Sequence, residues 1–209
     1  VESVTSAASI AVANVNDAPT GTVKLVGTAE QGQLLSASNQ VADADGLGTI
    51  RYEWQSSNDG SQWLVITGAT AAGFTPGLTQ VGQQLRVLAR WTDGHGSNES
   101  VASPASSTVL GRQIGSGGAD TLTGTAFVDR LDGGNGNDSL RGAAGNDDID
   151  GGTGIDTAVY SGERAAATIS PTIRGYTVTA GSDGADSLTN VERLQFSDIS
   201  VALDLSGNA

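Results

Sequence analysis

Five nine-residue units run without interruption from residue 115 to residue 159, each with an aspartate in its sixth place. They read GSGGADTLT, GTAFVDRLD, GGNGNDSLR, GAAGNDDID and GGTGIDTAV. The sixth places are Asp120, Asp129, Asp138, Asp147 and Asp156; the eighth places are Leu122, Leu131, Leu140, Ile149 and Ala158. An apolar residue between polar neighbours at the end of each unit predicts a short strand with one side on a core. The glycines ahead of it permit a tight loop with positive φ. A flexible Gly/Asp-rich linker would not keep an apolar residue at every eighth place, so the tract is read as folded.

The units resemble the G-G-x-G-x-D-x-U-x nonapeptide of RTX proteins, a calcium-binding parallel β-helix repeat. The resemblance implies a roll in which two units make one coil and loops two units apart stack. Asp120, Asp138 and Asp156 then share one edge, and Asp129 and Asp147 the other. Strand spacing puts successive coils roughly 4.8 Å apart. Two carboxylates about 5 Å apart repel by roughly 3 kcal/mol at an effective dielectric of ~20. Burying one leucine per unit returns only about 2 kcal/mol. A hard dication between the aspartates reverses the sign of that interaction, and loop carbonyls complete an oxygen shell suited to calcium. The tract is therefore expected to be disordered without calcium and folded with it.

The family's ligand scheme implies three sites. One takes Ser116, Gly118 and Asp120 with Gly133, Asn135 and Asp138. A second takes Gly134, Gly136 and Asp138 with Gly151, Thr153 and Asp156. The opposite edge takes Thr125, Phe127 and Asp129 with Gly142, Ala144 and Asp147. Only the aspartates donate side chains in this scheme. Thr125 and Phe127 stand where the pattern has glycine, which puts that site's occupancy in question. The sixth place after Asp147 falls on Ala165, so that end is expected to lack a complete site.

Charge and composition narrow the function classes. Residues 1–111 carry nine acids and four bases, and residues 112–209 fourteen and six, for a chain net charge of −13. Such a balance argues against nucleic-acid binding, which needs basic patches. Cysteine and methionine are absent, which removes disulfides and thiolate metal sites. No apolar run reaches membrane-spanning length and no signal peptide is visible. The chain opens mid-pattern without an initiator methionine, as expected of a piece of something longer.

An internal repeat supports that expectation. ESVTSAASIAV (2–12) matches ESVASPASSTV (99–109) at seven of eleven places. The first copy reads as the last strand of a preceding repeat, with residues 1–18 its end and linker. Residues 19–110 hold alternating runs between turn signals: TVKLV (22–26), TIRYEWQ (49–55), QWLVI (62–66), AGFT (72–75) and QLRVLARWT (84–92). Asp59-Gly60 and Asp93-Gly94 are turn dipeptides. About seven short strands without helical periodicity predict an antiparallel β-sandwich. YEW…DGSQW…ITGAT…VGQQLRVLARWTDG resembles the Ig-like repeats of large bacterial secreted proteins and adhesins. NVNDAP (14–19) resembles an interdomain linker of cadherin-like arrays, some of which bind calcium. Asn16, Asp17, Asp43, Asp45 and Asp93 are noted on that ground, with ordinary turn and linker chemistry the preferred reading. Of Trp54, Trp63 and Trp91, at least two are expected in the core rather than on a carbohydrate platform. Ser97, Asn98 and Glu99 are read as loop.

The fold class expected is all-β: an antiparallel Ig-like β-sandwich (19–110), a short parallel β-roll (111–160) and a β-rich carboxyl-terminal cap (161–209). In the last segment ATIS (167–170), GYTVTA (175–180) and ERLQFSD (192–198) read as strands. GSDGADSLT (181–189) nearly copies GSGGADTLT but lies out of register with the tandem units, and a hairpin turn is preferred to a calcium loop at Asp186. DSLTNVERLQFSD resembles the carboxyl-terminal region of RTX proteins exported by type I secretion. An open final coil needs cover, for which Tyr176, Leu194 and Phe196 are the candidates.

No catalytic residues are assigned. His95, the sole histidine, sits in a DGHG turn, and neither HExxH nor GxSxG occurs. Scattered acids suit no paired-carboxylate hydrolysis. The expected function is a calcium-binding, calcium-folded module of a secreted bacterial protein, extracellular or surface-associated, with the type I secretion machinery as partner during export. Two alternatives stand: an adhesin end whose sandwich binds a surface glycan or protein, and the non-catalytic tail of an exoenzyme such as a hydrolase or peroxidase.

Overall fold

The computed structural model describes residues 15–203. The segment 2–12, expected as a strand of a preceding repeat, lies outside them. Among the described residues every element is a strand or a short 3-10 turn.

The first part contains seven strands: β1 (Val23–Val26), β2 (Leu35–Asn39), β3 (Arg51–Ser57), β4 (Leu64–Val65), β5 (Gly73–Phe74), β6 (Gln84–Thr92) and β7 (Asn98–Ala102). They pair antiparallel in two sheets, β1-β2-β5 and β4-β3-β6-β7. Alternation in β6 is what joins the sheets. Leu85, Val87, Ala89 and Trp91 are buried with Val23, Leu35 and Trp54 in one core. Trp54 is fully buried, and its indole N–H donates to the Ala71 carbonyl at 2.9 Å. Trp63 stays partly exposed, with the Arg86 guanidinium 4.3 Å above its ring. One expectation is corrected, and one strand was not anticipated. Asn98 and Glu99 are not loop residues but pair in β7 with Thr92 and Trp91. LSASN forms β2 although only its first residue is strongly apolar; pairing with β1 along four positions holds it.

Beyond Leu110 the strands run parallel. One file contains β8 (Gly111–Ile114), β10 (Asp129–Asp132) and β12 (Asp148–Asp150); the other contains β9 (Thr121–Thr123), β11 (Ser139–Arg141) and β13 (Thr157–Val159). Each strand is followed by a strand of the opposite file, so two nonapeptides complete one coil.

The chain then leaves the pattern for β14 (Thr168–Pro171) and β15 (Gly175–Thr179), and returns as β16 (Ala185–Thr189), β17 (Arg193–Gln195) and β18 (Ser200–Ala202). The return is in register. β16 lies parallel on β12 with Ile149 opposite Leu188, and β17 lies parallel on β13 with Ala158 opposite Leu194. GSDGADSLT is therefore both the turn of the β15–β16 hairpin and a further unit of the stack. The expectation that it lies out of register fails because a hairpin loops out of the coil, shifting sequence spacing but not spatial spacing.

Eighth-place residues fill the centre. Leu131, Leu140, Ile149 and Ala158 are buried in one cluster with Leu188, Leu194 and Phe196. Tyr176 packs against this cluster, and the Phe196 ring stacks on Tyr160 with centroids 5.4 Å apart.

The two-sheet unit adjoins the first coil. Arg112 pairs with buried Glu30 at 3.2 Å, and the Gln31 N–H donates to the Leu110 carbonyl at 2.9 Å. Gly82 faces the Phe127 ring so closely that a Cβ there would lie 2.5 Å from it. That contact gives Phe127, a departure from the repeat, a packing role.

Candidate metal centre

Each coil edge carries a ladder of acids. On one edge the Asp120 N–H donates to Asp138 Oδ1 and the Asp138 N–H to Asp156 Oδ1, both at 2.8 Å. On the other, the Asp129 N–H donates to Asp147 Oδ1 at 2.9 Å. The sixth places are thus brought together in the two sets the periodicity dictates.

The ladders continue past the tandem units. The Asp147 N–H donates to Asp186 Oδ1 at 2.9 Å and the Asp156 N–H to Glu192 Oε2 at 2.7 Å. The place assigned by counting to Ala165 is filled by Asp186. A second interaction repeats the match: Ile155 N–H donates to Asn137 Oδ1, and Ala185 N–H donates in the same way to Asn146 Oδ1. Sequence reasoning missed both acids as ladder members. The signal for Asp186 was present in the likeness of GSDGADSLT to the repeats. Glu192 follows a loop reduced to Asn190 and Val191, which no nonapeptide pattern detects.

Burial and charge then set the chemistry. Asp129, Asp138, Asp147, Asp156, Asp186 and Glu192 are all buried. Asp129 Oδ1 and the Oδ2 atoms of Asp138, Asp147 and Asp156 are closed from solvent without a hydrogen-bond partner. A buried anionic oxygen without a donor is costly, and here two lie on each of two lines of like charge. Burial pushes the Asp147 carboxyl up to about 7, with Asp186, Asp129 and Asp183 adding repulsion against the lowering effect of the Asp129 N–H. Burial likewise raises Asp156 and Asp186 to about 6. Asp120 behaves differently. Its Oδ2 accepts from the N–H and hydroxyl of Ser116, which hold it below the usual carboxylate range.

The backbone residues implied as ligands lie in the stacked loops. Gly133 and Gly134 approach the loop of Ser116, while Gly151 and Gly152 approach that of Gly133 and Gly134. Among the carbonyls, Ser116 and Thr125 accept long loop-to-loop hydrogen bonds from Asn135 and Ala144, at 3.4 and 3.3 Å. Gly134 and Thr153 carbonyls accept shorter ones, from Thr153 and Gly136, at 2.8 and 2.9 Å. Each carbonyl keeps a second lone pair. Gly118, Gly136, Gly142, Ala144 and Phe127 occupy the same loops, with Phe127 turned to Gly82.

An oxygen-only donor set with orphaned buried carboxylate oxygens fits a hard dication. Residues 114–147 and 123–158 match the family model of the RTX calcium-binding nonapeptide repeat (4 copies). The chain thus carries RTX repeats, and these repeats are calcium-binding. No curated protein matches the chain. No helix among the described residues is long and apolar enough to cross a membrane.

Proposed function

We propose that this chain is a calcium-set folding module of a bacterial protein exported by type I secretion. The carrying observation is the double acid ladder, whose buried carboxylate oxygens lack donors in the stacked repeats. Calcium, as the resident ion, supplies positive charge between neighbouring coils. The residues holding it are those of the scheme above, Asp120 with Asp138, Asp138 with Asp156, and Asp129 with Asp147, each pair completed by its loop carbonyls. The second edge gains a further site, with Ala143, Gly145 and Asp147 facing Gly181, Asp183 and Asp186. Glu192 closes the first edge as an acceptor for the Asp156 N–H.

In this reading, scarce calcium inside the cell leaves the roll unfolded for export, and calcium outside folds it. The two-sheet unit serves as an Ig-like spacer that supports the first coil, and residues after 160 close the last. In this reading the module is non-catalytic, with His95 a structural partner of Asp45, its Nδ1 3.3 Å from Asp45 Oδ1. Far-ultraviolet circular dichroism, from excess chelator through a calcium titration, tests the reading. A cooperative gain of β signal with calcium but not magnesium supports it; a roll equally folded in chelator refutes it.

A further inference from the structure

At the far end of the two-sheet unit, Asp43, Asp45 and Asp93 present carboxylate oxygens within 4.8 Å of one another. Asp45 and Asp93 are more than nine-tenths buried. Asp43 Oδ1 accepts from the Asp45 N–H, and Asp43 Oδ2 from the Trp91 indole at 2.8 Å. Asp93 Oδ1 accepts from the His95 and Ser97 N–H groups, both at 2.8 Å. Asp93 Oδ2 is shut off from solvent and accepts nothing. An orphaned anionic oxygen beside two further carboxylates needs a positive partner. The His95 ring, 3.3 Å from Asp45 Oδ1, brings at most one positive charge to three carboxylates.

We propose that Asp43, Asp45 and Asp93 form a calcium site separate from the nonapeptide stack. The chemistry is all oxygen on irregular loops, which suits calcium better than the strict octahedron of magnesium. The ion would also order the entry to the unit, because Asp45 Oδ2 accepts the Asp17 N–H at 2.6 Å. Nothing in this site depends on the repeats.

The tryptophans make the test selective, since all three lie before residue 111 and the stack has none. The full chain is titrated with terbium, excited at the red edge of tryptophan absorption, and the emission is competed with calcium. The expected result is calcium-displaceable emission through Trp91. Asp93→Asn keeps an acceptor for the two N–H groups and should weaken terbium binding roughly ten-fold or more, because affinity follows the count of charged ligands. Asp147→Asn should leave the signal in place. If Asp93→Asn does not fold, as judged by tryptophan fluorescence, Asp43→Asn replaces it with the same expectation. Absent emission, emission indifferent to calcium, emission unchanged by the cluster variant, or emission lost in Asp147→Asn would each overturn the proposal.

Discussion

The backbone N–H of Asp147 donates to the carboxylate of Asp186, 39 residues further along the chain, with the geometry that links acids 18 residues apart elsewhere in the stack. Asp186 is therefore expected to behave as a ladder acid. Asp186→Asn should reduce bound calcium by one ion, counted by native mass spectrometry, and move the folding transition to higher calcium. An unchanged count would show that the ladder ends at Asp147.

Leu140 lies at the centre of the stack, fully buried. Leu140→Ala should destabilise the calcium-loaded roll by about 2–5 kcal/mol, the range for a buried leucine whose cavity does not collapse. Urea unfolding at saturating calcium measures this. The two-sheet unit, followed through its tryptophan fluorescence, should keep its midpoint.

Ala143 holds φ +74, where the same place in neighbouring units has Gly134 at +90 and Gly152 at +88. A left-handed alanine costs roughly 1–2 kcal/mol, partly offset by the extra freedom glycine has in the unfolded chain. Ala143→Gly should therefore stabilise by about 1 kcal/mol. Thermal melts with calcium would reveal a loss instead if the loop relaxes differently.

The metal-free stack should depend on pH with a defined sign. Asp147, Asp156 and Asp186 have folded-state values raised to about 7, 6 and 6, above the unfolded value near ~3.9. A raised carboxylate binds more protons folded than unfolded, so stability falls as pH rises from about 4 to about 7. Chelated protein should gain β signal on acidification through that window. Calcium binding should release protons and weaken as pH drops below about 7. A calcium midpoint identical at about pH 4 and about pH 7, the ends of that window, would contradict the assignment of these acids.

Arg112 is the cation facing buried Glu30. Arg112→Ala should cost about 3 kcal/mol by leaving a buried charge unpaired, and Glu30→Gln in the same chain should recover part of it. A double-mutant cycle by denaturant unfolding gives the coupling.

The tandem units made the stack legible because side-chain chemistry and period coincide: an acid at every sixth place and an apolar residue at every eighth force both edge and core. In the two-sheet unit, QLRVLARWT was readable as β6 because Leu85, Val87, Ala89 and Trp91 put an apolar residue at every second place. LSASN was not, since β2 is defined by the β1 backbone rather than its own side chains. The return of the coil at Asp186 was hidden for a different reason. Position in a stack depends on spatial height, and counting by nines loses that height once a hairpin intervenes. The Phe127 contact was equally invisible, because its partner Gly82 has no side chain to announce it.

A column of identical parallel rungs has no intrinsic length and could in principle grow by adding further copies. Here growth stops by reversal of chain direction. β15 runs against β16 and β18 against β17, so the faces after the last rungs no longer present a parallel template. The outermost β14 ends in Pro171, which lacks the N–H a further strand would use at that point. The ends of the column are thus set by its terminators and its length by the number of repeats between them, so copies inserted between Asp129 and Asp156 should lengthen it without altering either end.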